Sequence, residues 1–374
     1  MTIGVLRETN TDKRVSILPE HIAKLSKLNF SILVEENAGK ESFYSDQDYI
    51  DKEAAVKKKD EILKQADVIL KISFTEEEIE SLPEGKMIFS VLNPLMRKSL
   101  IEKLQSKKIT AFSLDIVPRT TRAQSMDVLS SMATIAGYKA VLDAAGDLPK
   151  FFPMFMSAAG TIKPAKLLIL GAGVAGLQSI ATARKLGAVV EVFDVRAAVK
   201  EEVQSLGGKF IEVEGARDEA SAGGYAVEQT EEFKQKQQQL IHDHAVKSDV
   251  IIATAQIPGK NAPLLVKKET VAEMKPGSLI IDLAASSGGN CELTKNGETV
   301  VENQVTIIGR SDYPGDMPVD ASRMYGNNII NFLNIFVNKE GTFSLNFEDD
   351  LIKGTCVCHD GEIVSDRVKS FMNS

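Results

Sequence analysis

The chain has no tryptophan, three cysteines and four histidines among 374 residues. Each scarcity narrows the function. Cysteines at 291, 356 and 358 cannot build a disulfide framework and suit a reducing cytoplasm. Cys356, Cys358 and His359 lie close together, but the second spaced pair that a zinc site needs is missing. Their alternation reads as a strand, and no metal is expected. No apolar run approaches the ~18 residues of a membrane span. The N-terminal MTIGVLRETNTDKR lacks the apolar core of a secretion signal. Basic charge is not in excess either. The net charge is −8, with Lys and Arg spread along the chain, which argues against nucleic acid as the main ligand.

What is present is alternation. TIGVLRE, FSILVEE, ADVILKIS, GKMIFSVL and KITAFSLD read as strands, separated by helical segments such as PEHIAKLSKLN and RKSLIEKLQSK. A second series follows: KLLILGAG, AVVEVFD, KFIEVE, SDVIIATA, GSLIIDLA and VTIIG. This predicts mostly parallel sheets with helices on both faces, and the length predicts two domains. A long helix over AQSMDVLSSMATIAGYKAVLDAAGDL would join them and fix a cleft between them. A second joining segment, Arg323 to Phe336, would return the chain to the first domain. The expected domains are 1–130 plus 325–374, and 131–324. The stretch 214–230, rich in Gly, Ala and acids around Tyr225, reads as a solvated loop or as a mobile lid over a ligand.

Gly171, Gly173 and Gly176 form G-x-G-x-x-G between a strand and a helix. The first allows a tight turn, the second close backbone approach to a pyrophosphate, and the third helix–strand packing. The helix start offers unpaired N–H groups and the positive end of its dipole. The next strand ends on Asp194, whose carboxylate would accept both adenosine ribose hydroxyls. It would repel a 2′-phosphate by roughly 4 kcal/mol at ~4 Å and a dielectric of ~20, before screening. Arg196 offsets this in part as a phosphate partner, so NAD(H) is expected over NADP(H).

An acid–base pair to serve such a cofactor is hard to find. His21 stands at a helix start, His242 and His244 on a polar helical stretch where they read as solvated, and His359 beside the Cys pair. All four read as structural. The distinctive polar cluster is PRTTRAQSMDVLSS, with Arg119, Arg122, Gln124, Asp127 and Ser130. Asp127 and Ser130 are one helical turn apart. The cluster reads as a solvated helix start or as hydrogen-bonding groups suited to a carboxamide and a ribose.

At RTTRAQSMDVLSS, TIKPAKLLILGAGVAGLQSIATA, GAVVEVFDVRAAVKEEVQSLGGKF, IPGK, MKPGSLIIDLAASSGGNCE and SLNFEDDLIKGTCVCHDGEIV, the chain resembles the NAD(H)-binding component of proton-translocating NAD(P) transhydrogenase. The likeness runs nearly end to end, and the chain stops before any membrane helix, as in the form where this component is a separate subunit. The resemblance implies an α/β fold of two Rossmann-like, doubly wound parallel-sheet domains with an interdomain cleft. It implies a homodimer on the cytoplasmic face of the inner membrane, peripheral to a membrane-spanning proton-channel subunit. It also implies reversible hydride transfer from NADH here to NADP⁺ on a partner domain, with NADP(H) held there and not on this chain.

By motif position, Arg119, Gln124, Asp127 and Ser130 would hold the nicotinamide end, with Gln124, Arg119 and Asp127 positioning it for transfer. Gly171, Gly173, Val174 and Gly176 would hold the pyrophosphate. Asp194, Val195 and Arg196 would surround the adenosine ribose. Tyr225 would tip a closing loop with Gly224 beside it, and Gln237 and Gln256 would add contacts. One departure is Pro314-Gly315-Asp316, where the family commonly has Pro-Ser-Arg. Alanine dehydrogenase shares the pattern, and Arg14 and Lys71 resemble two of its substrate residues. Its His and Asp positions hold Asn93 and Ser286 here, which disfavours amino-acid oxidation. A non-catalytic NAD(H)-sensing module is the remaining alternative.

Overall fold

A computed structural model describes residues 1–9, 11–213, 230–257 and 259–373. Two compact units emerge, one of residues 1–132 with 314–374 and the other of 133–313. The strands in chain order are β1 Thr2–Val5, β2 Ser31–Glu35, β3 Ala55–Lys57, β4 Val68–Leu70, β5 Met87–Ser90 and β6 Thr110–Ser113. Next come β7 Phe155–Ser157, β8 Gly160–Ile162, β9 Lys166–Leu170, β10 Val189–Phe193, β11 Lys209–Ile211 and β12 Val250–Ala253. The series ends with β13 Leu279–Asp282, β14 Thr299–Glu302, β15 Val305–Gly309, β16 Cys356–His359 and β17 Glu362–Ile363.

The second unit's main sheet runs β11-β10-β9-β12-β13-β15-β14, parallel except for β14. Leaving out β14, this is the doubly wound order 3-2-1-4-5-6, which reverses between β9 and β12. The first unit repeats it as β3-β2-β1-β4-β5-β6, then adds antiparallel β16 and β17. Short strands with apolar centres dictate this arrangement, because a parallel sheet is buried on both faces. Val68 and Leu70 of β4 enter one core while Ile69 enters the other. Leu167 and Ile169 of β9 likewise oppose Leu168 and Leu170.

The chain's return to the first unit is an aromatic event. Phe332 and Phe336 meet Phe89 of β5 and Phe112 of β6 edge-on, at centroid distances of 5.0 to 6.3 Å. The helix Pro318–Asn334, which carries Phe332 and ends just before Phe336, buries Ala321, Ser322 and Tyr325 in the same unit. The division therefore falls after Tyr313, and residues 314–324, read from sequence as part of the second domain, lie in the first unit.

The long helix is Val128–Asp147, starting five residues later than the sequence suggests. Residues 121–126 form 3-10 turns, and Asp127 then caps the helix: its Oδ1 accepts from the Ser130 N–H at 2.9 Å and its Oδ2 from Ser130 Oγ at 2.6 Å. Further along, Gly137 meets the helix Val174–Lys185. A Cβ on Gly137 would stand 2.1 Å from the carbonyl oxygen of Ala175. Ser179 Oγ donates to the carbonyls of both Gly137 and Ala175.

Two glycines of this one helix give a controlled test. Gly137→Ala is expected to cost about 1–3 kcal/mol through overpacking against backbone. Gly146→Ala, with nothing within 4 Å of its added methyl, is expected to be neutral or to gain about 0.5–1 kcal/mol. Urea unfolding midpoints at equal m-value check both, and equal midpoints for the two variants would refute the contact.

Candidate functional site

In the second unit β9 runs into Gly171, whose φ of +100° is a left-handed conformation that favours glycine. Its missing side chain also admits Thr254, whose Oγ1 would lie 2.7 Å from a Cβ and donates to the Gly171 carbonyl at 3.0 Å. Gly176 is tighter still, since a Cβ there would sit 1.9 Å from the Gly171 oxygen. Gly173 differs. Nothing lies within 4 Å of its Cβ position, and it directly precedes the helix Val174–Lys185. Open space at a 12-residue helix's N-terminus is the arrangement that admits a pyrophosphate. Val174 is exposed at that terminus.

Asp194 follows β10 and is drawn to the same turn. Its Oδ2 accepts the Ala172 N–H at 2.7 Å. Arg196 closes on it twice, Nε to Oδ1 at 2.9 Å and Nη2 to Oδ2 at 2.7 Å. Arg196 is thus engaged by Asp194, whereas the sequence offered it as a phosphate partner. Val195, between them, packs against the core at the ends of β9 and β12.

Past β12, Gln256 donates to the Leu283 carbonyl at 3.2 Å. Neighbouring Ala255 is gripped by Asn290, whose Oδ1 accepts the Ala255 N–H and whose Nδ2 donates to the Ala255 and Pro263 carbonyls. Asn290 is held in turn by buried Asp282, which accepts from the N–H groups of Ala284, Asn290 and Cys291 and from Thr294 Oγ1. Sequence reasoning misses Thr254 and Asn290, because their partners are distant in the chain, and with them Asp282, which holds Asn290 in place. Gln237 is half-buried on the helix Glu231–Ala245. Gly224 and Tyr225, with the expected lid, lie outside the described residues.

In the first unit Val117, Pro118, Arg119, Thr120, Thr121, Ala123, Gln124 and Asp127 line a depression of about 330 Å³. Arg119 and Gln124 are exposed on it. Arg122, of the same motif, turns elsewhere. It forks onto Asp349 at 2.9 and 2.5 Å and onto Asp350 at 2.7 Å. Asn328 and Asn331 both donate to the Ser125 carbonyl. The segment that carries Gln124 is therefore tied to the returning chain at two places.

His242 and His244 are half-buried rather than solvated. His242 Nδ1 lies 3.0 Å from Thr270 Oγ1, and His244 Nδ1 lies 2.6 Å from Glu191 Oε2. Cys356 and Cys358 are buried in β16, and burial pushes the Cys358 thiol up to about 11.

Comparison with known proteins agrees with this geometry. The description "Alanine dehydrogenase/PNT, N-terminal domain" matches residues 4–136, and "Alanine dehydrogenase/PNT, C-terminal domain" matches 140–366. The chain belongs to the alanine dehydrogenase/PNT family. It is 44% identical to an NAD(P) transhydrogenase alpha-subunit chain of Rhodospirillum rubrum, covering 97% of this chain and 98% of that one. It is 43% identical to the alpha subunit of Haemophilus influenzae, covering 97% of this chain and 71% of that one. A transhydrogenase structure from Sinorhizobium meliloti superposes with a TM-score of 0.89 at 40% identity, covering 97% of this chain and all of that one. An L-alanine dehydrogenase structure shares the fold, with a TM-score of 0.83 at 22% identity, covering all of this chain and 99% of that one.

The first unit also holds a second polar cluster, in and beside a pocket of about 340 Å³ lined in part by Glu8, Asp12 and Arg14. Arg14 is bound by Asp12 through Nε and Nη2. Lys71 Nζ donates to the Ser73 carbonyl at 2.7 Å and meets Glu78 at 3.1 Å and Glu8 at 3.4 Å. Glu8 accepts the Ile72 N–H at 2.6 Å and the Ser73 N–H at 3.4 Å, but burial outweighs these partners and pushes its carboxyl up to about 7. His21 moves the other way. It is sealed with Gly326 against its ring, and burial lowers it to about 4.

The two groups oppose each other in acid. His21 binds its proton in the unfolded chain from its ordinary 6.5 but resists it folded until about 4, so its contribution is full above 6.5 and lost as pH falls. Glu8 is held protonated in the folded chain up to about 7 against an ordinary 4.5, so its contribution is full below 4.5 and lost as pH rises. Glu8→Gln removes the second slope. Its stability is expected to fall from pH 6.5 to 4.5 by up to about 2–3 kcal/mol more than that of the unsubstituted chain. Urea unfolding at several pH values checks this, and parallel pH profiles would contradict it.

Proposed function

We propose that this chain is the NAD(H)-binding subunit of a proton-translocating NAD(P) transhydrogenase, exchanging hydride between NADH here and NADP⁺ on a partner domain. One observation carries the reading. A complete dinucleotide turn occurs in a chain whose candidate nicotinamide pocket, 117–127, is lined by no His, Lys, Cys or Tyr among the described residues. The one carboxylate there, Asp127, already accepts the N–H and the hydroxyl of Ser130, one on each oxygen. A dehydrogenase acting on an alcohol or amine must move a proton with the hydride. Exchange between two nicotinamides does not, so positioning suffices.

In this reading the residues divide the work. Gly171, Gly173, Val174 and Gly176 receive the pyrophosphate. Asp194, Val195 and Arg196 receive the adenosine ribose. Arg119, Gln124, Asp127 and Ser130 orient the carboxamide and its ribose, while Gly224, Tyr225, Gln237 and Gln256 complete the enclosure. Bound NADH supplies the hydride; this chain supplies orientation. Among the described residues no helix is long and apolar enough to cross a membrane. In the proposed assembly a membrane-spanning partner subunit carries the protons. A homodimer attached peripherally to that subunit, at the cytoplasmic face, completes the assembly. Naming the similar bacterial chains as alpha subunits supports such partners. Amino-acid oxidation is disfavoured by the engagement of Arg14 with Asp12 and of Lys71 with Glu8 and Glu78.

Gly173→Ala is expected to leave the unfolding midpoint unchanged, since its methyl meets open space, while weakening NADH about tenfold or more. Fluorescence titration decides, and unchanged affinity would remove the pyrophosphate from this turn. Gln124→Asn, mixed with an NADP-binding partner domain, is expected to bind NADH normally but to transfer hydride about 10–100-fold more slowly. Tight NADH binding with no transfer by the unsubstituted chain would favour the sensing module. NADH formation from L-alanine would favour the dehydrogenase.

A further inference from the structure

Asn328 and Asn331 stand one turn apart on the helix Pro318–Asn334, so their side chains share a face. Both reach the same atom. Asn328 Nδ2 donates to the Ser125 carbonyl oxygen at 2.8 Å and Asn331 Nδ2 donates to it at 3.0 Å. Asn327 is engaged elsewhere, its Oδ1 accepting from Lys24 Nζ at 2.8 Å. Two donors match the two lone pairs of a carbonyl. Asn328 is 7% exposed, and its own Oδ1 is buried with no partner among the described residues. A buried acceptor left unpaired is costly. An apolar side chain would pack there without that cost, so what the amide adds is its donor.

The target carbonyl adjoins Gln124. Gln124 and Ser125 are exposed, between buried Ala123 and Met126. Burial of the flanking side chains holds the two ends of this step, but the peptide planes within it can still turn. One donor fixes where the Ser125 oxygen lies; two donors from different points on a helix also fix its direction. Resting on the hydride-transfer reading above, we propose that Asn328 and Asn331 are positioning residues for Gln124: they act through the Ser125 carbonyl to hold the backbone from which Gln124 reaches the pocket 117–127. Neither asparagine lines that pocket. Their contribution is to rate, because a displacement of ~1 Å costs on the order of a hundredfold. It is not to affinity, since an exposed amide on a looser backbone still meets a carboxamide in some of its positions.

The test is single-turnover hydride transfer from NADH to an NADP⁺ analogue held by an NADP-binding partner domain, with NADH affinity and urea unfolding measured alongside. Asn331→Ala, at an exposed position, is expected to keep its NADH affinity and unfolding midpoint and to transfer hydride about tenfold more slowly. Asn331→Gln, which restores a donor on a longer stem, is expected to fall between that variant and the unsubstituted chain. Asn328→Ala is expected to be slowed likewise; should it fail to fold, Asn331→Ala decides alone. The decisive variant combines Gln124→Asn with Asn331→Ala. Because the asparagine acts through Gln124, its loss in that background is expected to slow transfer by less than about twofold further. Unchanged transfer in Asn331→Ala, or two losses that multiply in the double variant, makes the asparagines a packing bracket and overturns the positioning role alone. An unsubstituted chain that binds NADH but transfers no hydride overturns the proposed function and the positioning role with it.

Discussion

One carbonyl governs the second unit. The Gly171 oxygen lies where any side chain on Gly176 would place its first carbon, 1.9 Å away. Only hydrogen fits, so the helix Val174–Lys185 begins hard against the end of β9, with its positive terminus beside the space left open at Gly173. The same carbonyl is the target of Thr254 Oγ1 after β12, and the adjoining Ala172 N–H reaches Asp194 after β10. Three neighbouring parallel strands thus end on one turn, where a doubly wound sheet reverses and ligands bind. The bracing runs outward from there, through Ala255 to Asn290 and through Asn290 to Asp282. None of these contacts contributes chemistry. Each removes a freedom that a bound dinucleotide would otherwise have to remove.

How far the sequence reveals this depends on the range of each interaction. The glycine turn and Asp194 are legible because their constraints are local, a strand, a turn and a helix within about thirty residues. The strand series is legible because a sheet buried on both faces needs short apolar runs. Gly137 is unreadable, since the carbonyl it makes room for belongs to Ala175 on another helix. Asn290 is hidden in SSGGN for the same reason. Arg122 shares the motif with Arg119 and Gln124, yet its partners, Asp349 and Asp350, lie 227 and 228 positions on. Sequence places the start of the long helix too early because Ala123–Met126 has helical spacing, and only the Asp127 cap shows where the helix begins. It places the second domain boundary too late because a helix that joins and a helix that packs look alike until the Phe332 and Phe336 contacts are known.

The first unit shows what the same winding does without the glycines. Its reversal lies between β1 and β4. After β1 come Arg7 and Glu8 instead of a tight turn, and among the described residues no α-helix starts before Pro19. The amide groups of Ile72 and Ser73, beyond β4, are already taken by the Glu8 carboxyl group. Lys71, itself buried, lies 3.4 Å from it. A protein carboxyl group thus stands at the place where a doubly wound sheet elsewhere receives a phosphate. Fold alone would assign both units a dinucleotide. The residues at the two reversals favour the second unit only.

The poverty of proton-transfer groups around Gln124 then has a structural counterpart. Where chemistry requires an acid and a base, side chains must be free to titrate. Where it requires two rings at ~3–3.5 Å, the scaffold must be stiff, because an error of ~1 Å costs on the order of a hundredfold in rate. The segment 119–127 is built for stiffness. Arg122 locks it to Asp349 and Asp350, Asn328 and Asn331 share the Ser125 carbonyl, and Asp127 gives up its carboxylate to cap the following helix. Arg119 and Gln124 stand exposed on this anchored loop. On the function proposed above, a side chain that holds an amide steady for an incoming hydride acceptor gains more from a fixed backbone than from a shifted pKa, and the Arg122 ion pairs with Asp349 and Asp350 supply that fixity.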